Sequence, residues 1–240
     1  MWLVFTWFYI LKFYSFCKSV RKIHTKNNRS DNYKYTSNYK KEYVLNTFQR
    51  EALIGLILGD GFLERTKPHH NTRLRIEQSY PEKKQYFDHL YLLFKPMVGM
   101  DPSIIERKAD KRTGLVYKSI FFWTLKFLCL NEFYEMFYKN KVKPVPNNLG
   151  ELLTPVGLAY WIMDDGGKSF YGQTILHTRS FTKNEVKFIQ TVLKNNFGLV
   201  TRIEEKKLNQ WIIYIPLKQD VKLINIVGKY IHESMLYKVQ

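Results

Sequence analysis

The chain contains little cysteine and comparatively few acidic residues. Only two cysteines occur among 240 residues, so neither a disulfide scaffold nor a CxxC zinc site can be built from them. Lysine and arginine number 38 against 21 aspartates and glutamates, which leaves a formal charge of +17. A positive field of this size favours polyanions as partners. The sequence also lacks a Walker loop, a dinucleotide fingerprint and a nucleophile elbow, which argues against enzymes that depend on those motifs.

The first 44 residues differ in composition from the rest and are interpreted as an extension. Residues 2–17 are nearly all apolar, but Lys12 interrupts them. This segment fits neither a membrane-spanning helix nor a secretory signal, so membrane contact is not expected. Residues 24–41 are polar, which is typical of a flexible linker, and folding is predicted to begin near residue 45. The first 45 residues carry +7 and the remainder +10, so the basic character survives without the extension.

A duplicated pattern organises the remaining chain. The apolar run Leu53–Leu58 precedes Gly59-Asp60-Gly61, and the run Leu158–Met163 precedes Asp164-Asp165-Gly166. Asp60 and Asp165 stand 105 residues apart. Each run is followed by a strand-like stretch, a Ser-aromatic pair, a helical segment, basic strands, a further helix and a short tail that contains a lysine. Such a repeat predicts two units, residues 45–146 and 147–240.

The apolar runs predict two buried helices that pack against each other. Leu53–Leu58 is apolar on all sides, as expected of a helix buried on most of its surface. Gly55 and Gly59 share one face of it, which allows a second helix to approach closely. If the helices pack about a pseudo-twofold axis, Asp60 and Asp165 meet at one end of their seam. A single Asp-Gly after an apolar helix is ordinarily a turn, whereas two copies at equivalent positions indicate a paired site.

Both segments resemble the LAGLIDADG motif of homing endonucleases, in the single-chain form that carries two copies. Leu53–Gly61 keeps the glycine, the Leu-Ile pair and the final Asp-Gly of the nine-residue pattern. Leu158–Gly166 departs from it with Tyr160 at the small third position and Asp164 at the seventh. Residues 146–168 are very similar to the branch of the family found in the yeast mitochondrial omega intron. The resemblance implies an α+β fold of two pseudo-twofold α-β-β-α-β-β-α units, whose antiparallel sheets form a DNA-binding saddle.

The resemblance also implies the site residues. In the family the eighth-position acid of each motif is catalytic, and in the omega-intron branch a lysine near the end of each half supports each active site. Mg²⁺ held between carboxylates and phosphate positions a water and neutralises charge on the attacking and leaving oxygens, and Mn²⁺ is expected to substitute for it. The catalytic residues implied are Asp60, Asp165, Lys143 and Lys238. The metal ligands implied are Asp60, Asp165, Gly59 and Asp164.

Recognition of DNA is assigned to the strands. In the stretch 72–78, alternation places Arg73, Arg75 and Glu77 on one face and apolar residues on the other. A sheet surface can enter the major groove, where arginine pairs with guanine and glutamine with adenine, while lysines hold phosphates. The predicted DNA-binding residues are Arg73, Arg75, Glu77, Gln78, Arg107, Lys108, Lys111, Arg112, Lys118, Lys168, His177, Arg179, Arg202, Lys206, Lys207 and Gln210.

These features together predict a monomeric, intron-encoded, Mg²⁺-dependent endonuclease that cuts both strands of DNA at a specific site. Two alternatives on the same fold stay open, namely a maturase that binds host intron RNA and a DNA-binding protein that does not cut. A membrane-attached basic protein rests only on residues 2–17. The histidines of His69-His70-Asn71 are interpreted as a polar loop. The abundance of Lys, Asn, Ile, Phe and Tyr is what AT-rich codons produce, which indicates an organellar genome, although aromatic side chains also fill cores and stack on nucleic-acid bases. The localisation expected is the mitochondrion, with the chloroplast as the alternative.

Overall fold

Each half of the chain builds one four-stranded antiparallel sheet. The computed structural model describes residues 36–140 and 142–240. The first sheet has the strand order β1-β2-β4-β3 and the second has the order β5-β6-β8-β7, so the two halves repeat one topology. The strands are β1 (Phe62–Glu64), β2 (Arg73–Tyr80), β3 (Ser103–Glu106), β4 (Lys118–Trp123), β5 (Gly166–Lys168), β6 (Thr174–Leu176), β7 (Arg202–Lys207) and β8 (Gln210–Ile215). The predicted duplicated α+β architecture is confirmed.

Capping residues in the sequence mark the ends of several helices. Asn46 caps one helix and Thr182 another, each in a reciprocal capping box that satisfies backbone N–H groups at the first turn. Gly198 ends the second of these helices in the left-handed conformation, which a glycine adopts without steric cost. The helices described are Ser37–Glu42, Thr47–Leu58, Lys84–Phe94, Asn131–Phe137, Leu149–Leu152, Pro155–Asp165, Lys183–Phe197 and Asp220–Val227, with short 3-10 segments that include Glu233–Lys238.

Thr47–Leu58 and Pro155–Asp165, called here the first and second central helices, pack against each other along a very close seam. A Cβ atom added to Gly55 would lie 2.0 Å from the carbonyl oxygen of Gly157, so the two backbones touch. The predicted close approach at Gly55 is therefore confirmed. Tyr160, at the small third position of the second motif, is buried, with its hydroxyl 2.6 Å from the ring of His89 and its ring edge-on against Phe48 of the first central helix.

The first described segment corrects the predicted start of the fold. Ser37–Glu42 is helical, and the Tyr39 hydroxyl donates a hydrogen bond to the carbonyl oxygen of Pro96 at 2.9 Å. The rings of Tyr39 and Tyr43 also pack edge-on against Phe127. The prediction of a flexible linker is therefore wrong for residues 36–41, because Tyr39 in this polar stretch and Tyr43 just after it supply the apolar area that docks it.

Part of the predicted extension lies outside the described residues. This part is residues 1–35, which include the apolar segment 2–17 and Cys17. Within residues 36–140 and 142–240, no helix is long and apolar enough to cross a membrane.

Candidate active site

The two predicted catalytic acids lie where the central helices end together. Asp165 is the last residue of the second central helix, whereas Asp60 follows the first central helix by two residues and is exposed. The backbone N–H of Asp60 donates to the Oδ2 atom of Asp164 at 2.7 Å, which joins the two helix ends directly. The predicted meeting of the two motifs at one end of the seam is confirmed.

The two predicted lysines make equivalent contacts in the two halves. Lys143 Nζ donates to the carbonyl oxygen of Gly59 at 2.7 Å, and Lys238 Nζ donates to that of Asp164 at 3.1 Å. Each lysine therefore binds the carbonyl group immediately before a predicted catalytic acid, and Lys238 also donates, at the shorter distance of 2.6 Å, to the carbonyl oxygen of Met163. Carbonyl groups at a helix carboxyl end lack intrahelical donors and carry partial negative charge, so an ammonium group is well placed there.

Burial affects the ionisation of both lysines. It lowers the pKa of Lys143, and it lowers the pKa of Lys238 to about 8, although the nearby carboxylates oppose both changes. The site therefore holds two partly desolvated ammonium groups beside its acids.

Two acids of the site, Asp164 and Asp165, are buried beside the charge of Asp60. Burial and then the charge of Asp60 raise the pKa of Asp165 to about 6, although Lys143 and Lys238 act in the opposite direction. Burial and the charge of Asp60 likewise raise the pKa of Asp164 to about 7. A divalent cation would relieve this repulsion between carboxylates.

The donor set fits a partly hydrated divalent ion. Among the described residues, no group of three or more His, Cys, Asp or Glu side chains is arranged to hold a metal. Two carboxylates at the end of the helix seam suit Mg²⁺, which keeps several waters and shares its remaining positions with phosphate oxygens. Asp60 and Asp165 therefore fit the ion that the sequence implies.

Gly59 and Asp164 offer less to a metal than the sequence implied. The Asp164 side chain is 4% exposed, and both of its oxygens already accept hydrogen bonds from protein groups. Only the two backbone carbonyl oxygens could serve as ligands, and here they accept hydrogen bonds from Lys143 and Lys238. Their role as metal ligands stays a prediction that rests on these carbonyl groups alone.

Gln78 corrects one predicted DNA contact. Its side chain is 4% exposed, and its Nε2 atom donates to Asp164 Oδ1 at 2.5 Å. The alternation of β2 places position 78 on the same buried face as Leu74 and Ile76. The prediction that Gln78 reads a base is therefore wrong, because the side chain points toward the central helices.

The predicted separation of β2 into a buried face and a more exposed face is confirmed. Ion pairs line the more exposed face. Arg73 pairs with Glu64 at 2.5 Å and lies 3.9 Å above the ring of Trp123. Arg75 pairs with Glu77 at 2.6 Å, and Arg107 contacts the same carboxylate. These partners hold the guanidinium groups in fixed orientations on the more exposed side of β2. The remaining first-half residues are exposed on β4 or in its preceding hairpin loop, namely Lys108, Lys111, Arg112 and Lys118.

The second-half residues are less uniform. His177 follows β6 and is half-buried, and its backbone N–H donates to the carbonyl oxygen of Asp165 at 3.1 Å. This places it next to the second acid rather than on an open strand face. Lys168 is half-buried and lies 3.8 Å from Asp220. The exposed members are Arg179, Arg202, Lys206 and Lys207, and Gln210 is half-buried at the start of β8.

Sequence reasoning missed the groups that hold these side chains in place. Trp123 and Tyr214 lie beneath arginine guanidinium groups, and Glu64 and Glu204 form ion pairs with them. The aromatic content of β4 was a usable signal, because a tryptophan beside exposed arginines suits cation–π contacts. The loop interpretation of residues 69–71 is confirmed, with His70 Nδ1 at 2.7 Å from the Thr66 hydroxyl.

Comparison with known proteins gives consistent matches over most of the chain. The model of the LAGLIDADG DNA endonuclease family matches residues 50–223. "Probable intron-encoded endonuclease 1" of Wickerhamomyces canadensis is 33% identical over 216 residues, which cover 87% of this chain and 91% of that protein. "Cytochrome b mRNA maturase bI2" of Debaryomyces hansenii is 30% identical over 191 residues, covering 79% and 72%. The solved structure "The homing endonuclease I-WcaI bound to its DNA recognition sequence" matches with a TM-score of 0.79 and 32% identity, covering 89% of this chain and 95% of that one.

Proposed function

The chain belongs to the LAGLIDADG DNA endonuclease family, and we propose that it cuts both strands of DNA at a specific site by metal-dependent hydrolysis of phosphodiester bonds. The observation that carries this proposal is the paired arrangement at the seam. Each half supplies one acid at the end of a central helix and one lysine on the carbonyl group before that acid. Two equivalent centres beside a pseudo-twofold axis match the approximate twofold symmetry of a duplex backbone.

In the proposed mechanism the aspartates bind the metal and the lysines stabilise negative charge. Nucleases of this family generally use divalent metals. Asp60 and Asp165 would hold such an ion, with Mg²⁺ preferred and Mn²⁺ as a substitute, and the bound ion supplies Lewis-acid and water-positioning chemistry. Lys143 and Lys238 keep positive charge beside the scissile phosphates, where it stabilises the negative charge that develops during hydrolysis. Their hydrogen bonds to the backbone fix that charge before DNA arrives.

The DNA would lie across the exposed faces of the two sheets, which together form the proposed saddle. Arg73 and Arg75, held by glutamates and aromatic rings, are oriented for bidentate pairing with guanine. Lysines on the hairpins, such as Lys111 and Lys207, suit phosphate contacts. His177 lies beside Asp165, so we place it at the cleavage site rather than among the base readers.

The origin and biological setting follow the relatives. Relatives are named as intron-encoded endonucleases and as cytochrome b mRNA maturases, so we propose an intron-encoded protein that acts in mitochondria as a monomer. Particular similarity to the omega-intron branch is part of this proposal. The maturase relatives also support a second candidate function, binding of host intron RNA, which the same basic surface would allow.

The proposal is tested by cleavage of a supercoiled plasmid that carries the uninterrupted host-gene junction. The full chain should produce linear DNA with Mg²⁺ and none with EDTA. Asp60→Asn and Asp165→Asn should each abolish linear product while DNA affinity, measured in Ca²⁺, stays within about twofold. Asp88→Asn, which removes an exposed acid on another helix, is the matched control and should cut normally. Full cutting by either active-site variant would contradict the assignment, and RNA binding without cutting would favour the maturase.

A further inference from the structure

The two halves of the site differ at the residue before the catalytic acid. The first half has Gly59 there, whereas the second has Asp164, whose carboxylate crosses the seam. Its Oδ2 atom accepts the backbone N–H of Asp60 at 2.7 Å, and its Oδ1 atom accepts Gln78 Nε2 at 2.5 Å. Both partners belong to the opposite half of the chain. Gly59 leaves the space for this contact, because a Cβ atom added there would lie 2.8 Å from the Asp164 side chain.

The two catalytic acids are held in different ways. Asp165 is a helical residue, so the hydrogen bonds of the second central helix fix its backbone. Asp60 lies beyond the end of its helix. The neighbouring N–H groups of Gly59 and Gly61 bind carbonyl groups of their own helix, whereas that of Asp60 binds the Asp164 carboxylate instead. The backbone position of Asp60 therefore depends on a side chain from the other half.

Burial of the Asp164 side chain argues that it has a specific purpose. Removing a carboxylate from water is unfavourable unless its oxygens find donors, and here the two donors are Asp60 and Gln78. A small side chain would avoid that cost but would leave a backbone N–H without an acceptor beside the reaction centre. A hydrogen bond between a charged and a neutral group is also stronger and more directional than one between neutral groups.

We propose that Asp164 is a positioning residue that fixes Asp60 and Gln78 in the first half-site, so that cutting of the strand nearest Asp60 depends on its carboxylate. The inference rests on the proposed endonuclease function. It makes the two half-sites unequal, because the second half-site needs no such contact. DNA affinity should not depend on Asp164, since its side chain is buried away from the strand faces.

The test uses the full chain, Mg²⁺ and a supercoiled plasmid that carries the cleavage site. Asp164→Ala should slow conversion to linear DNA by about 10- to 100-fold, the scale of effect that small displacements in an active site cause, and nicked circles should accumulate. End-labelling should show that the uncut strand is the same one in every molecule. Affinity for DNA in Ca²⁺ should change by less than about twofold. Asp88→Asn again serves as the control.

A reversal of the hydrogen bond separates positioning from a general structural role. Gln78→Glu places two carboxyl groups face to face, so cutting should be slowest at alkaline pH, where they cannot share a proton. In the double variant Asp164→Asn with Gln78→Glu, the asparagine amide donates to the new glutamate while its oxygen accepts the Asp60 N–H, so activity should recover at least tenfold over Gln78→Glu alone. Asp164→Ala in the same background removes the donor and should give no recovery.

The outcomes distinguish the two levels of the hypothesis. If the unmodified chain does not cut, the proposed function fails and this inference fails with it. If the unmodified chain cuts and Asp164→Ala cuts both strands equally fast, only the positioning role is overturned. Equal activity of the asparagine and alanine variants in the Gln78→Glu background would overturn it as well, even if Asp164→Ala alone proves unstable.

Discussion

Replacement of Gly55 by alanine gives the most direct measure of how closely the central helices must pack. The added Cβ would lie 2.0 Å from the Gly157 carbonyl oxygen and 2.8 Å from the Trp161 backbone nitrogen. Ordinary contacts begin near 3.4 Å, so the helices must separate by roughly 1 Å. Overpacking costs about 1–3 kcal/mol, and alanine recovers up to about 1 kcal/mol through its helix propensity. Because the obstructing atoms are backbone, we expect a net loss near 2 kcal/mol.

Two assays follow the change. In thermal unfolding the loss corresponds to a fall in Tm of roughly 4–8 °C for a domain of this size. In plasmid cleavage we expect a fall of about 100-fold, because the acids at the end of the seam move apart. Gly150→Ala is the matched control, since its Cβ would meet only Val192 at 3.9 Å, so it should leave cleavage unchanged and should not lower Tm. The reasoning is refuted if Gly55→Ala behaves like Gly150→Ala.

Three further predictions concern charge. Lys143→Met and Lys238→Met should each slow cutting of one strand by at least tenfold without weakening DNA binding, as measured by strand-resolved cleavage and by affinity in Ca²⁺. Arg75→Ala should relax base preference in a binding-site selection, whereas Lys207→Ala should weaken all sequences equally and lower the slope of log affinity against log salt by about 0.9. His89→Gln should reduce acid sensitivity. Burial and His232 lower the pKa of His89 to about 4, so the unfolded chain binds more protons below pH 6.5 and stability is lost as pH falls toward 4. Between pH 7.5 and pH 5, urea unfolding should show wild type losing about 2 kcal/mol more than the variant.

Local sequence patterns were sufficient to predict which elements are buried and which face of a strand is exposed. The uniformly apolar run at Leu53–Leu58 indicated a helix buried on most sides, and the glycine in it allowed the close neighbour that the structure shows. The alternation of β2 likewise separated its arginines from Leu74 and Ile76. These inferences need no knowledge of distant parts of the chain, because periodicity alone determines the direction of each side chain.

Contacts between distant segments could not be predicted in the same way. The residue type of Gln78 suggested a contact with DNA. Its position in β2 instead turns its side chain toward the core, where it donates a hydrogen bond to Asp164. That partner is 86 residues away, and no local rule connects the two. The ion pair between Lys118 and Glu106 follows from the register of β3 against β4. The alternation of residues within each strand does not determine that register. The helix at Ser37–Glu42 could not be predicted because its residues are mostly polar, and only contacts of Tyr39 and of the following Tyr43 with Phe127 dock it.

The hydrogen bond between the Asp164 carboxylate of the second half and the Asp60 backbone of the first half matters for protein engineering. Hybrid nucleases that combine halves from different parents are a route to new target sequences, since in the proposed complex each sheet faces its own stretch of duplex. Consider a hybrid that retains Asp60 but receives a second half with a small residue in place of Asp164. It would keep both sheet surfaces, but the backbone N–H of Asp60 would lose its hydrogen bond to the Asp164 carboxylate. Such a protein should bind its composite target well and nick it, and grafting the aspartate should turn the nickase into a double-strand cutter.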